Sequence, residues 1–459
     1  MSSRASTIST ITTHSLHAAE VSGCKAANPC SVTPESPVKA ETDPKDRIVH
    51  TVDPGAFPEG GLAAWCTVIG AALVQACGFG YLASFGVFQD FYTREYLTNE
   101  TPSTISWIGG INIFLVSALS PLSGMLYDRG YFHHLIIGGA VLQSFSLFML
   151  SLAQRGQFYQ ILLTQSFGSG IALGLMYVPS MGLISHYFHR RRTLAMTLAA
   201  SGSPIGSIIH PIMLNNFIKK IGFANGVRIS AAFVSLLLFV ACWLMRTRLE
   251  PPKNATNQWG VAKGVFRDFP FLIMTIGLVF SQCGFYYPVF FFQLDSVKHG
   301  NSMAFSFYSL VIMSTANLVG RVSSGFITPY TGVPMLMIIT TFACGVLILS
   351  MIGLSNVASV VVLGVLYGYF SGMYISLMVP LMAVLTSELS ELGGRIGISF
   401  MFIGMDSSPP SSGALLTSQY KWWIPALFCG LIVLVGDSLF VIMQLLLVRR
   451  RVCEGLGKC

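Results

Sequence analysis

Charged side chains are scarce in this sequence. Of its 459 residues only 10% are charged, 53% are hydrophobic, and the mean hydropathy is +0.65. Soluble domains carry about 25% charged residues, so the composition excludes a soluble protein. Twelve charges lie in residues 1–60, which leaves the rest of the chain poorer still. The sequence therefore predicts a protein embedded in a lipid bilayer.

Several functional motifs are also missing. The Lys and Arg residues do not cluster on a polar surface, so the net charge of +8 does not indicate a nucleic-acid partner. The ten cysteines have no paired or metal-ligand spacing, which predicts neither a metal site nor a cofactor. No phosphate-binding loop or filter-like repeat indicates an ATP-driven pump or a channel. No nucleophile, base and orienting acid can be assembled, so we do not expect an enzyme.

Twelve apolar segments are long enough to cross a bilayer as helices, which takes about 20 residues each. The sequence thus predicts an all-α membrane protein. Segment 11 is the least regular, because it carries Asp406 and then a Ser- and Pro-rich run at 407–413. The segments are 62–89, 104–127, 135–153, 158–180, 193–218, 229–245, 269–294, 303–327, 333–354, 357–386, 396–418 and 422–447.

Positive residues predict the orientation, because Lys and Arg accumulate on the cytosolic side. With an even number of spans, one side holds 19 of them and the other 7, with Arg321 inside a span. We therefore expect both termini in the cytosol, in the plasma membrane or, as the alternative, in a vacuolar or other internal membrane. The predicted regions are a disordered cytosolic tail (1–60), a six-helix half (61–247), a cytosolic loop (248–267), a second six-helix half (268–448) and a cytosolic tail (449–459).

Two halves of six spans are the plan of a duplicated transporter. Such halves enclose a central site and rock against each other, which opens the site alternately to either side. The organisation predicts a small-molecule substrate and transport by alternating access.

The end of segment 2 resembles a loop signature of the major facilitator superfamily, G-x-x-x-D-R-x-G. It runs from Gly124 to Gly130 and includes Asp128 and Arg129. The resemblance implies the twelve-helix fold with two pseudo-symmetric halves. It also implies that Asp128 meets the start of a helix in the opposite half and latches one conformation. By resemblance, Asp128 and Arg129 are gating residues.

Further stretches resemble the monocarboxylate-porter-like branch of that superfamily, especially its fungal members. One is the acidic-Gly-Gly opening from Glu59 to Trp65, and another is the basic stretch from Tyr187 to Ala195. A third, Arg395 to Gly397, precedes segment 11. These motifs indicate a family and leave the substrate open.

Three ionisable residues fall well inside the segments, namely Arg321, Asp406 and Asp437. A charge at that depth is costly unless it is paired or hydrated, so each is a functional hypothesis. Arg321 is the strongest, since its planar guanidinium suits a carboxylate or carbonyl group of a substrate. The alternative is an arginine that reaches the headgroups or pairs with Asp406 or Asp437.

Proton coupling is an open question in this sequence. The animal monocarboxylate porters, which it resembles, carry an acidic residue four positions before the arginine, where this chain has Asn317. Residues i and i+4 share a helix face, so Asn317 and Arg321 can address one ligand, but an amide carries no proton. Asp406 is the remaining candidate for proton coupling.

Aromatic residues on the predicted central spans favour a substrate larger and less polar than lactate. We predict a monomeric secondary transporter of a small organic acid or related metabolite, with or without proton symport. The alternatives are an uncoupled facilitator or exporter of a vitamin-like or secondary metabolite, and a nutrient sensor that does not transport. The predicted substrate-binding residues are Arg321, Asn317, Tyr81, Phe85, Tyr177, Tyr286 and Tyr374.

Overall fold

The structure is a computed structural model that describes residues 58–248, 258–298, 303–353, 357–386, 388–405 and 423–455. These residues are helical, with short turns between the helices. Most of the tail predicted over 1–60 and the second part of segment 11, including Asp406, lie outside them.

The N-terminal half contains nine α-helices. They are α1 (Leu62–Gln75), α2 (Phe85–Phe91), α3 (Pro102–Asp128), α4 (Phe132–Leu150), α5 (Phe158–Ile161), α6 (Ser169–Gly182), α7 (Arg192–Ala200), α8 (Gly202–Ile221) and α9 (Phe223–Leu244). Three wider, π-helical stretches interrupt them, at Ala76–Gly80, Tyr92–Tyr96 and Leu162–Gly168.

The described part of the C-terminal half has longer elements. They are α10 (Gln258–Arg267), α11 (Phe269–Lys298), α12 (Met303–Thr331), α13 (Val333–Ser350), α14 (Val357–Leu385), α15 (Leu392–Met405) and α16 (Trp423–Gly455). Part of the loop predicted over 248–267 is thus helical, and the last helix continues past the predicted end of segment 12.

Eight helices of the described residues are long and apolar enough to cross a membrane. Their outward faces carry large apolar side chains, such as Phe239 and Trp243 on α9, which are 71% and 68% exposed. Such apolar faces suit contact with lipid. The helix itself satisfies the backbone N–H and C=O groups, which have no water to bond inside a bilayer. The prediction of an all-α membrane protein is confirmed.

Two of the predicted segments are broken where the sequence suggested one helix. Segment 1 turns at Ala83–Ser84, between the π-helical stretch and α2. Segment 5 is interrupted at Ser201, the turn residue between α7 and α8. Pro204 lies in the first turn of α8, where its missing N–H interrupts the hydrogen-bond ladder.

Glycine shapes the turns that end two long helices. Gly130 (φ 90°) follows α3 and Gly332 (φ 79°) follows α12, and both occupy the left-handed region that disfavours other residues. The final glycine of the G-x-x-x-D-R-x-G signature is therefore required by the backbone.

The two halves meet along three sets of helices. α3 and α6 pack against α15, α7 packs against both α12 and α14, and α8 contacts α12. The α3–α15 contact is close, since a side chain at Gly397 would strike the backbone of Ser120 and Pro121. Gly202 and Gly206 instead lie against the backbone of segment 1 within the N-terminal half, at Ala72 and Ala76.

Candidate functional site

Asp128, at the end of α3, reaches the first turn of α15 in the opposite half. Its carboxylate accepts hydrogen bonds from the backbone N–H groups of Gly393 at 3.0 Å and Gly394 at 2.7 Å. The first N–H groups of a helix have no partner within it, and a negative charge there is stabilised by the helix dipole. The structure places Asp128 where the resemblance expects it, while the side chain of Arg129 is exposed.

A second charged residue joins the halves at the same end of the bundle, which we call the Asp128 end. Arg192, the first residue of α7, donates from Nη2 to the carbonyl oxygen of Ala383 at 2.8 Å. Ala383 lies in the last turn of α14, where carbonyl groups have no helical partner and a positive charge is favourable. Sequence reasoning treated this arginine only as a topology signal and missed the contact.

The loop that carries Arg192 is held by Glu59. The Glu59 carboxylate accepts from the backbone N–H groups of His189 (2.9 Å), Arg190 (2.6 Å) and Arg191 (3.1 Å). Burial raises the pKa of Glu59, but these three hydrogen bonds stabilise the anion and lower the pKa below its ordinary value of 4.5. The acidic residue of one sequence motif thus organises the basic stretch of another.

Arg321 lies deeper, ten residues before the end of α12 at Thr331, or about 15 Å along the helix. Its side chain is buried, with 6% of the residue exposed. Nε donates to Oδ1 of Asn317 at 2.9 Å, and Nη1 donates to the carbonyl oxygen of Ala200 at 2.6 Å. Asn317 in turn donates to Ser371 Oγ on α14 at 3.2 Å. Arg321 and Asn317 therefore share one helix face, as their spacing predicted.

Pro204 explains why the Ala200 carbonyl is available. In a continuous helix, a carbonyl oxygen accepts from the N–H four residues later. For Ala200 that residue is Pro204, which has no N–H. The guanidinium of Arg321 donates to this carbonyl oxygen instead, across the interface between the halves. The sequence contained the signal, a proline four residues after Ala200, but not the identity of its partner.

The structure distributes the predicted aromatic residues over three places. Tyr177 packs edge-to-face on Phe400 of α15, with ring centroids 4.8 Å apart, and so lies between the halves. Tyr374 packs on Phe285 inside the C-terminal half, at 5.2 Å. Tyr81 and Phe85 line a small cavity inside the N-terminal half. Tyr177 and Tyr374 do not line that cavity.

Two predicted residues lie beyond what the structure describes: Asp406, and Tyr286, whose helix is described but whose side chain is not. Asp437 is buried in α16, and within the described residues its Oδ1 atom accepts no hydrogen bond. Among the described residues, no group of three His, Cys, Asp or Glu side chains could hold a metal ion.

A family model, that of the Major Facilitator Superfamily, matches residues 67–354. The chain belongs to the major facilitator superfamily. Members of this superfamily are membrane transporters and not enzymes, so the predictions of a transporter and of its fold class are confirmed.

Relatives of this chain within the superfamily include fungal transporters. The chain is 33% identical to the MFS transporter asaE of Aspergillus flavus, over 85% of this chain and 88% of the relative. It is 32% identical to the fujikurins efflux protein of Gibberella fujikuroi, over 95% of this chain and 93% of the relative. The aspyridones efflux protein apdF of Emericella nidulans is 30% identical, over 87% of this chain and 82% of the relative.

Among solved structures, the fold is similar to that of the major facilitator superfamily transporter FucP in its outward conformation. The TM-score is 0.63 at 14% identity, over 82% of this chain and 99% of FucP. This likeness concerns the fold alone. The monocarboxylate-porter-like branch, the gating roles and the substrate-binding roles stay predictions for this member of the superfamily.

Proposed function

We propose that this transporter exports a small organic metabolite that bears an anionic or carbonyl group, and that Arg321 binds that group. The observation that carries the proposal is the buried guanidinium of Arg321 at the interface between the halves, bonded to the Ala200 carbonyl. A guanidinium at this depth suits a carboxylate or carbonyl group, which offers the same kind of acceptor as Ala200 does. The fungal relatives named as efflux proteins support export rather than uptake.

The contacts suggest how binding drives the conformational change. A charge-assisted bond to a substrate carboxylate is stronger than one to a neutral carbonyl. A substrate anion would therefore displace Ala200 from Arg321 and remove one link between the halves. A ligand shifts an equilibrium only by its differential affinity for the two states, and this exchange supplies such a difference.

We assign the Asp128 end to the cytosol, with both chain termini on that side, in the plasma membrane. Asp128 and Arg192 then close the cytosolic side in this conformation. The basic residues of the nearby loop suit a cytosolic leaflet, whose headgroups are anionic. We propose a monomer that needs only its substrate and the bilayer.

Uptake into proteoliposomes tests the role of Arg321. A panel of mono- and dicarboxylates and neutral polycyclic metabolites is compared for the parent, for Arg321→Ala and for Arg94→Ala. Arg94 is exposed and pairs with Asp90, four residues before it, so it controls for the loss of a positive charge. We expect Arg321→Ala to lose at least about tenfold in transport of accepted substrates, which corresponds to about 1.4 kcal/mol, and Arg94→Ala to match the parent. If Arg321→Ala transported every accepted substrate at the parent rate, Arg321 would not be the substrate-binding residue. If the parent bound a substrate but did not transport it, the result would favour a nutrient sensor.

Asp406 remains the proposed proton-coupling residue, because Asn317 cannot carry a proton. Transport along a pH gradient is expected to lose its pH dependence in Asp406→Asn. If the parent transport rate did not depend on the pH gradient, the result would instead favour an uncoupled facilitator.

A further inference from the structure

A cavity lies inside the N-terminal half, away from Arg321. It is bounded by segments 1 to 4, and the residues that matter for its chemistry are Tyr81, Phe85, Asn112, Gln143, Gln165 and Ser169. None of the described residues that line it is charged. We propose that this cavity binds a neutral hydrogen-bond donor, a hydroxyl or N–H group carried by an aromatic or other apolar skeleton.

The orientation of Asn112 is fixed by its neighbour. Its Nδ2 donates to the backbone carbonyl oxygen of Gln165 at 2.7 Å. Because a carbonyl oxygen only accepts, the nitrogen of the amide must face Gln165, and Oδ1 must face the other way. Oδ1 has no hydrogen-bond partner among the described residues, although Asn112 is only 5% exposed.

Gln143, on α4, brings a second carboxamide to the cavity. It is 2% exposed, and its Oε1 likewise has no partner within the described part of the chain. Two of the remaining polar side chains are engaged in the wall: Gln165 Oε1 accepts from the Tyr92 hydroxyl at 2.8 Å, and Ser169 Oγ donates to the Thr164 carbonyl oxygen at 3.5 Å. A buried acceptor left unpaired costs free energy, so the two oxygens favour a ligand that donates.

The backbone is irregular in two of the four segments that form the wall of the cavity. Segment 1 is π-helical over Ala76–Gly80 and turns at Ala83–Ser84, and segment 4 is π-helical over Leu162–Gly168. Helix irregularities of these two kinds recur at functional sites, and interrupted helices form the binding sites of many transporters. Here the carbonyl that orients Asn112 belongs to the π-helical stretch itself.

The size of the cavity limits what enters it. Its volume is about 20 Å³, which is enough for a single hydroxyl or amino group and no more. The skeleton that carries this group must lie at the half-buried ring of Phe85, which lines the cavity beside Gly109.

Binding of phenol and of anisole to the purified full chain tests the proposal. The two molecules share a ring, but only phenol can donate. Dissociation constants from saturation-transfer NMR titrations are compared for the parent, for Gln143→Met and for Asn112→Leu. Partition of phenol and anisole into the detergent is the same for all three proteins, so it cancels in the comparison. We expect the parent to bind phenol about tenfold more tightly than anisole, because anisole leaves buried acceptors unpaired. Each variant should lower that ratio, because it removes one of the two acceptors.

Gln282→Leu provides the matched control. Gln282 is also a buried glutamine with an unpartnered Oε1 in the described residues, but it lies on α11 in the other half. Its variant should keep the tenfold preference for phenol. If the parent bound phenol and anisole equally, the cavity would hold water only. If both cavity variants kept the preference for phenol, phenol would bind elsewhere. Either result overturns the proposal. If Asn112→Leu does not fold, Gln143→Met decides alone. The test measures binding without transport, so its outcome is independent of the function proposed for Arg321.

Discussion

Two layers of contact join the halves, and they run in opposite directions. In the end layer, at the Asp128 end, charged side chains of the N-terminal half reach helix ends of the C-terminal half: Asp128 the start of α15, and Arg192 the end of α14. In the inner layer, Arg321 of the C-terminal half reaches Ala200 at the break in segment 5 of the N-terminal half. Each of these contacts pairs a charge with a backbone group that has no helical partner.

This difference separates two functions. The end layer has no group that a substrate in the membrane would replace, so it controls only how firmly the halves close. In the inner layer, the backbone carbonyl and a substrate would compete for one guanidinium. The end layer therefore acts as a latch between the halves. The inner layer is where a bound ligand can change how stably the halves are closed. The predictions below test this division.

The largest effect is expected from Asp128→Ala, which removes both hydrogen bonds to α15. A hydrogen bond to a charged group contributes about 1.5 to 3 kcal/mol, so the closed state should lose about 3 kcal/mol and its equilibrium should shift about 100-fold. Double electron–electron resonance between spin labels at His134→Cys and Tyr330→Cys, on a background without native cysteines, measures the shift. Both label sites are exposed, on opposite halves at this end.

Asp90→Ala is the control for this experiment. Asp90 is an exposed aspartate that pairs with Arg94, four residues later in the same half. Its variant should give the parent distance distribution. An unchanged distribution in Asp128→Ala would show that the latch lies elsewhere.

Gly397→Ala should open the same end by steric pressure. The added methyl group would lie 2.8 Å from Cα of Pro121 and in contact with the Ser120 carbonyl oxygen, and neither backbone can shift cheaply. Overpacking costs about 1 to 3 kcal/mol, and here the halves can relieve it by separating. The label distance should lengthen, whereas Gly138→Ala, with no atom within 4 Å of its new Cβ, should leave it unchanged. Equal behaviour of the two variants would contradict the close α3–α15 contact.

Much of this architecture could be predicted from the sequence. Long apolar segments marked the helices, and the G-x-x-x-D-R-x-G signature marked Asp128. Arg321 stood out because a charge inside a segment is rare. The partners could not be predicted, because Arg192 and Arg321 bond to carbonyl groups of Ala383 and Ala200, and any residue type has such a group.

The interruptions of segments 1 and 5 were missed for a related reason. Hydropathy measures whether a stretch is apolar and not whether its backbone is regular, so both segments were predicted as single helices. The proline at 204 carried a local signal, whereas the π-helical stretch at Ala76–Gly80 reflects packing against α8, where Gly206 lets the two backbones touch. Packing of this kind depends on which helices become neighbours.

Pro204→Ala tests the inner layer alone. The new residue supplies an N–H to the Ala200 carbonyl, so the bond from Arg321 should weaken by about 1 kcal/mol, or about fivefold in the equilibrium measured by the spin labels. Pro211→Ala, on the same helix, is the matched control, because its change restores an N–H to Ser207 instead. In an Arg321→Ala background, Pro204→Ala should have no further effect, since the bond is already absent. Additive effects would mean that the proline acts through helix shape rather than through Arg321.

The smallest effect is expected from Glu59→Gln, which loosens the loop that presents Arg192. An amide accepts more weakly than a carboxylate, so the amides of His189, Arg190 and Arg191 should lose up to about 1 kcal/mol of protection from hydrogen exchange at neutral pH. Because the pKa of Glu59 is lowered, its contribution is full above 4.5, the ordinary pKa, and disappears as the pH falls through the lowered value. Mass spectrometry of the full chain at several pH values should therefore show the difference between parent and variant shrinking only in acid, with no change between pH values of about 6 and 8. Glu95→Gln, an exposed glutamate, should leave these amides unaffected at every pH. A difference that persists in strong acid would mean that the glutamine disturbs the loop by its shape and not by the loss of its charge.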